Sequence, residues 1–419
     1  MKVIHISTLE RWPPGAIALN RLHDGLISLG IHSEIYAQNK VSTDMGIMSL
    51  PLTKATFAHK LKSIEENNLK RRIKKVNTDL GRIRFSTSTT PNYFYQTLNE
   101  SDADVVHLHW VNNGCLSIHD IGMINKPIAW TLHGAWPFTG GCEITWDCQE
   151  YKEACENCPM IRSTDRPNLG HAIHNHKTRC WKNSDITAIA PSKWMADQAK
   201  KSSLFKNREI AIIPNGLNTA TFRPIAKKDA RAILGLGDNE HLILFGSENI
   251  AHRHKGLSLL IGALENDILE GIGKKIRLMT FGADSGIKHI THYPQSDFGI
   301  VWDEHFMPIL YSAADVFVAP YLVDSFGQTL SESLSCGTPV VAFGTGGPLD
   351  IVDHQRNGYL AKPYCEEDLA RGIRWVLESK FWPQLSTNAR KKAMGCFDVK
   401  IVAEKHARLY KNMIAGKIA

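Results

Sequence analysis

The chain has 419 residues, 43% of them apolar and 22% charged, enough to bury two hydrophobic cores and too apolar for a disordered polymer. Lys and Arg number 49 against 42 Asp and Glu, a formal charge of +7, which suits phosphates or an acidic membrane face and gives little ground for a nucleic-acid partner. No window holds the roughly 18 consecutive apolar residues of a membrane span, and the start MKVIHISTLERW lacks the basic and apolar regions of a secretion signal, so a cytoplasmic protein is expected.

Residues 2–7 form a short apolar run, Pro13, Pro14 and Gly15 a turn, and Ile17, Leu19, Leu22, Leu26 and Leu29 recur at helical spacing up to Gly30. Strand, loop and helix open a βαβ unit, with the next strand expected at 31–37. Between 54 and 84, Lys60, Lys62, Lys70, Arg71, Arg72, Lys74, Lys75, Arg82 and Arg84 interleave with Phe57, Leu61, Ile64, Leu69, Ile73 and Val76. That pattern predicts a basic amphipathic helix, its cationic side either a solvated face or a contact for an anionic membrane. Further strands are expected at 104–110, 127–133, 186–190 and 210–214, spaced widely enough for helices between them.

After a charged, Pro-containing stretch around 214–240 the pattern restarts, with strands expected at 241–246, 276–282, 315–320 and 338–343. The segment 399–414, with Ile401, Val402, Leu409, Tyr410 and Met413 as its apolar positions, reads as a terminal helix. The expectation is an α/β protein of two domains, 1–215 and 216–398, with 399–419 packing back on the first. Alternating βα elements imply parallel sheets covered on both faces, whose ligands sit at the carboxyl ends of the strands, here in a cleft between the domains.

The stretch 324–347, DSFGQTLSESLSCGTPVVAFGTGG, follows the strand expected at 315–320. Phe326, Gly327, Gln328 and Thr329 would start a helix whose free N–H groups and dipole make a phosphate site. Asp324 and Glu332 lie eight residues apart, one in the loop before that helix and one inside it. Such a pair can bind two different sugars, but by spacing alone it is a weak signal and two unrelated surface acids are the default.

Together with IPNGLNTATFRP at 213–224, HRHKG at 252–256, ADVFVAP at 314–320 and GTPVVAFGTGGPLDIVDHQRNGYL at 337–360, this stretch resembles family 4 of the retaining glycosyltransferases, which have the GT-B fold of two Rossmann-like domains. The resemblance implies that Glu332 binds the ribose of a nucleotide, that Asp324 meets the donor sugar, and that the amides after Phe326 and Gly327 meet sugar and diphosphate. It also implies Arg253 and Lys255 on the diphosphate, Lys255 aligning better than Arg253. The chain departs from the family in carrying Asp324 for the first Glu of its E-x7-E motif, and Pro14 for the first of two adjacent glycines, leaving Gly15 to approach the phosphate or sugar.

In the first half, WTLHGAWPFTGGC at 130–142, VVHLHWVNNG at 105–114 and APSKWMADQA at 190–199 resemble a subgroup that makes bacterial exopolysaccharides such as colanic acid. This implies that His133 contacts the donor sugar near the reacting carbon, the alternative being a core histidine. His107 and His109 share one face of a strand and read as structural. Cys142, Cys148, Cys155 and Cys158, spaced C-x5-C-x6-C-x2-C, read as a structural zinc site, as packed thiols or as disulfides. The only D-x-D, Asp102-Ala103-Asp104, stands at a strand start, so neither a catalytic metal nor another cofactor is expected.

What the resemblance implies overall is transfer, with retention of configuration, of a sugar from a nucleotide-diphosphate sugar to a hydroxyl of a glycan acceptor. The acceptor would be polyprenyl-diphosphate-linked and met at the anionic inner face of the membrane, in bacterial surface polysaccharide synthesis. The alternatives are another GT-B enzyme, such as a sugar-nucleotide epimerase, and a non-catalytic scaffold of the same fold. Retention of Glu332, Lys255 and His133 together argues for activity.

Overall fold

The computed structural model describes residues 1–10, 14–43, 46–50, 64, 85–159, 161, 168–283 and 291–416. The basic helix expected at 54–84 lies, apart from Ile64, outside them. The chain forms two compact units, Met1–Ile213 with Ala403–Ala419 and Pro214–Val402. Each is an α/β Rossmann-like fold on one parallel sheet.

The first sheet has seven strands in the order β3-β2-β1-β4-β5-β6-β7. They are β1 (Lys2–Leu9), β2 (His32–Asn39), β3 (Ile47–Ser49), β4 (Val105–Leu108), β5 (Ile128–Thr131), β6 (Ile186–Ala190) and β7 (Ile210–Ile212). β4, β5 and β6 are buried at every residue, as continuous apolar runs in a doubly covered parallel sheet should be. The helices between them start on side-chain caps: Asn168 accepts from the His171 amide, Ser192 from the Met195 amide, and Ser117 forms a capping box with Asp120. One core cluster of this unit packs Trp130, Trp136 and Trp181 against each other, with ring centroids 5.3 to 6.1 Å apart.

The second sheet has six strands in the order β10-β9-β8-β11-β12-β13: β8 (Glu240–Asn249), β9 (Lys275–Ala283), β10 (Gln295–Asp297), β11 (Val316–Ala319), β12 (Val340–Phe343) and β13 (Gly358–Ala361). Asp315, at the amino end of β11, ties this edge of the sheet together. It pairs with Lys227 at 2.7 Å and Arg231 at 2.8 Å and accepts the Leu242 amide at 2.8 Å. Burial pushes its carboxyl up, but the bonds and charges of His241, Lys227 and Arg231 outweigh that and hold it well below the usual carboxylate range.

Every strand expected from the sequence is present, within a few residues at each end. The three short strands β3, β10 and β13 were not expected. Two of them are three-residue edge strands, and Gln295–Asp297 carries no apolar residue at all, so no hydrophobic run announces them. The terminal helix forms over Val399–Ile414.

Candidate functional site

In the second sheet the strand order reverses between β8 and β11, and at such a switch point the loops leaving the two strands diverge and open a crevice. Those two loops carry Lys255 and Asp324. Lys255 ends a single 3₁₀ turn, Arg253–Lys255, and Gly256 follows with φ of +71°. A Cβ at Gly256 would stand 1.8 Å from the Pro320 carbonyl oxygen. Only glycine lets this turn lie against the end of β11.

The structure brings Lys255 and Asp324 together. The ammonium lies 2.9 Å from Asp324 Oδ2 and 4.3 Å from the centroid of the Tyr321 ring, and both charged side chains are largely buried. The Phe326 amide donates to Asp324 Oδ1 at 3.1 Å, and the Gly347 amide donates to the Asp324 carbonyl at 2.9 Å. Burial raises the Asp324 carboxyl, while the charge and hydrogen bond of Lys255 and the Phe326 amide lower it further, leaving it below the usual range and ionised. Lys255, expected on a diphosphate, is paired with the acid expected on the sugar, and the Phe326 amide, which precedes the amides expected to meet sugar and diphosphate, is bonded to that acid.

Gly327, at φ of +101°, is the N-cap of the helix Gln328–Ser335. The first amides to reach an intrahelical carbonyl are those of Leu330 and Ser331, both bonded to Gly327 O. Gln328 and Thr329 therefore hold the leading amides of the helix, where the dipole favours an anion. Thr329 Oγ1 lies 3.0 Å from Tyr321 Oη, which donates to Gly246 O at 2.7 Å. Glu332, 7% exposed, accepts the Tyr311 hydroxyl at 3.0 Å. Tyr311 and Tyr321 were not singled out from the sequence, because a tyrosine in an apolar run reads as core until its hydroxyl's partner is known. Arg253 is exposed.

In the first unit, β1, β4 and β5 are neighbours, and the register sets His5 beside His107 and His107 beside Ala129. Alternation along each strand then puts His5, His107, His109 and Thr131 on one face. The rings form a connected row. His5 Nδ1 lies 3.0 Å from His109 Nε2, and His109 Nδ1 lies 3.1 Å from His133 Nε2. His107 bonds Thr131 Oγ1 at 2.8 Å and the Tyr410 hydroxyl of the terminal helix at 2.7 Å. His133 also stacks on His109, and a Cβ at Gly15 would approach its ring to 3.2 Å, so Gly15 packs against His133. Burial pushes the His133 imidazole down to about 4 and His5, His107 and His109 well below the usual range, their neighbours' rings adding to the effect. All four are neutral at pH 7.

His5, His107 and His109 are the one group of three potential metal donors gathered within 4.8 Å of one another among the described residues. Five of their six ring nitrogens are engaged in the hydrogen bonds just described, His5 Nε2 being the exception. The cluster is built for hydrogen bonding rather than ligation.

Cys142, Cys148, Cys155 and Cys158 line one small cavity with Gly140, Thr145, Glu150 and Tyr151. None of the four is joined in a disulfide, which corrects the disulfide reading. Burial pushes Cys155 up to about 12 and Cys142 higher still, and the Gly140 amide donates to Cys155 Sγ at 3.2 Å. No three of these sulfurs draw within the 4.8 Å that the histidines achieve, so the observed arrangement is that of packed thiols. Asp102 and Asp104 are held by Lys2, through its ammonium at 2.8 Å and its amide at 2.7 Å, at the amino-terminal ends of β1 and β4. That is the end of the sheet away from His133.

Comparison with known proteins bears on what these groups serve. A model of the Glycosyltransferase Family 4 domain matches residues 21–221, and one of Glycosyl transferases group 1 matches residues 227–394. The chain is 24% identical over 299 residues to the putative colanic acid biosynthesis glycosyl transferase WcaC of Escherichia coli K12, covering 68% of this chain and 69% of that one. It is 31% identical over 203 residues to a D-inositol 3-phosphate glycosyltransferase of Mycobacteroides abscessus, covering 46% of this chain and 44% of that one. Among solved structures, sucrose-phosphate synthase of Thermosynechococcus elongatus superposes with a TM-score of 0.68 at 18% identity, over 99% of this chain and all of the other. Anabaena Alr3699/HepE, solved with UDP and glucose, superposes with a TM-score of 0.64 at 16% identity, over 98% and 99% of the two chains. These structural neighbours share the GT-B fold.

Proposed function

Because the chain belongs to glycosyltransferase family 4, we propose that it moves a sugar from a nucleotide-diphosphate sugar to a hydroxyl of a glycan acceptor, with retention of anomeric configuration. The observation that carries this reading is the convergence of Lys255, Asp324 and the leading amides of Gln328–Ser335 at the carboxyl-end switch point of the second sheet. Cation, helix N-terminus and acid there match the needs of a diphosphate and a sugar hydroxyl. Glu332, oriented by Tyr311, is assigned the ribose. Lys255 is assigned the leaving diphosphate, to which it turns once a sugar hydroxyl takes up Asp324, and Arg253 supplements it from the same turn. A fixed cation compensates the charge that develops as the diphosphate departs.

No second carboxylate is assigned to the reacting centre beside Asp324, as a double displacement through two carboxyls about 5 Å apart would need. We therefore favour attack from the face the diphosphate leaves, with its oxygen taking the acceptor's proton and the protein supplying position and electrostatics. His133 and Gly15 are assigned the donor sugar. The engagement of Asp102 and Asp104 by Lys2 supports a reaction without a D-x-D metal. The four cysteines are scaffold to the first unit, whether as packed thiols or around a structural zinc.

The WcaC likeness supports surface polysaccharide synthesis; a polyprenyl-diphosphate-linked acceptor, met from the cytoplasm at the anionic membrane face, would fit that role. No helix among the described residues is long and apolar enough to cross a membrane.

The test is a thermal-shift screen against UDP, GDP, ADP and their sugar conjugates, with Glu332→Ala as control. A ligand at a hundred times its Kd adds about 2.7 kcal/mol of stability, so a shift with one base that Glu332→Ala abolishes is expected. No shift with any of them, in folded protein, would favour a non-catalytic scaffold. Turnover of the sugar nucleotide without any acceptor would favour an epimerase.

A further inference from the structure

We infer that the histidine row of the first unit is a directional hydrogen-bond relay in which His5, acting through His109, fixes His133 as the Nδ1–H tautomer, so that His133 offers its reaction partner an N–H donor and not a basic lone pair. The inference deepens the role proposed for His133 and rests on that reading.

A neutral imidazole carries one N–H and one lone pair, and the choice between its two nitrogens is set by their partners. Among the described residues the buried His5 Nε2 has no hydrogen-bond partner, while His5 Nδ1 lies 3.0 Å from His109 Nε2. Were the proton on Nε2, a buried N–H would be left without an acceptor, the rarer and costlier of the two ways to leave a group unpaired. The proton therefore resides on Nδ1, and His5 donates to His109 Nε2.

The rest of the row follows from this choice. With Nε2 accepting, His109 carries its proton on Nδ1 and donates it to His133 Nε2, 3.1 Å away. His133, accepting at Nε2, holds its own proton on Nδ1. The His109 ring cannot turn away easily. Its backbone is held at both ends, its amide donating to Ile6 O at 3.0 Å and its carbonyl accepting the Trp130 indole N–H at 3.1 Å. Its ring is wedged between those of His107 and His133, at centroid distances of 4.1 and 5.4 Å. On the outer side Gly15 packs against the His133 ring, and a Cβ there would press on it, 3.2 Å from Cγ and 3.5 Å from Nδ1.

A donor fixed in this way suits an oxygen that gains negative charge or must be held in place, such as a sugar hydroxyl or a phosphate oxygen. It does not suit proton abstraction. His5 and His109 are thus positioning residues, and His107, bonded to Thr131 and Tyr410, lies outside the relay.

The experiment is long-range ¹H–¹⁵N correlation NMR on the full chain labelled at histidine, with His133 assigned through His133→Gln. The expected result is a pyrrole-type shift at His133 Nδ1 and a pyridine-type shift at Nε2. His5→Leu, which removes the donor at the head of the row, should turn that signal into a mixture of tautomers and lower kcat about tenfold, with donor KM held within about twofold, the rate equivalent of one hydrogen bond of about 1.4 kcal/mol. His5→Gln, whose amide still donates, should restore both. A pyridine-type Nδ1 at His133 in the wild-type protein, or a tautomer unchanged in folded His5→Leu, would overturn the relay. If His133→Ala left turnover unchanged while the tautomer stood as expected, His133 would leave the reaction and the relay itself would survive.

Discussion

At the scale of single residues, the Lys255–Asp324 pair is the point where structure and chemistry meet. The two charges are buried together, so removing one strands the other. Asp324→Ala is expected to lower stability by about 3 kcal/mol, as broken buried pairs do, and to abolish transfer; denaturant unfolding and a sugar-transfer assay would measure the two. Asp324→Glu, which restores the residue common in the family, should keep most of the stability and change donor selectivity, read from turnover across a panel of sugar nucleotides. Tyr311→Phe removes a hydrogen bond from Glu332 without touching its carboxylate. About 1 kcal/mol of donor binding should go with it, seen as a several-fold rise in donor KM at nearly constant kcat. None of these partnerships is visible in the sequence. The motif containing Asp324 and Glu332 is legible there, but the tyrosine that orients one acid and the lysine that neutralises the other stand 21 and 69 positions away.

At the scale of elements, the loops after β8 and β11 work because of where glycine falls. Gly256 takes a left-handed φ and passes the Pro320 carbonyl at a distance no side chain survives. Gly256→Ala should therefore cost more than the roughly 1 kcal/mol of an ordinary left-handed alanine, with the carbonyl clash added. Because the loss displaces Lys255, nucleotide binding followed by calorimetry should weaken even where thermal melting shows the protein still folded. Most elements could be found from local pattern alone. The parallel strands are apolar runs, the helices carry apolar positions at helical spacing, and their starts bear Ser or Asn caps. The three-residue edge strands Ile47–Ser49 and Gln295–Asp297 escaped that reading because an edge strand is fixed by its neighbour's backbone and needs no hydrophobic run of its own.

At the scale of the whole molecule, the two units should respond differently to acid. His5, His107, His109 and His133 all lie in the first unit and are all buried neutral, with folded-state values below the ordinary 6.5. Between about pH 6.5 and 4 the unfolded chain therefore binds more protons than the folded one, and the first unit loses stability as pH falls through that window. The second unit relies on Asp315 and Asp324, whose carboxyls are held below their ordinary 3.8, so their contribution is present above that value and fades only at still lower pH. Hydrogen exchange across a pH series should show peptides of the first unit losing protection first; simultaneous loss would contradict the assignment. The sequence by itself determined the two α/β units, the parallel character of their sheets and the acid-bearing loop, because each depends on patterns a few residues long that backbone geometry turns directly into strands, helices and turns. Only the tertiary structure decided that Lys255 faces Asp324, that four histidines form one row, and that the four cysteines line one small cavity. Those contacts depend on strand order and register, and the order reverses at β1/β4 and β8/β11 for reasons of long-range packing that no local window records.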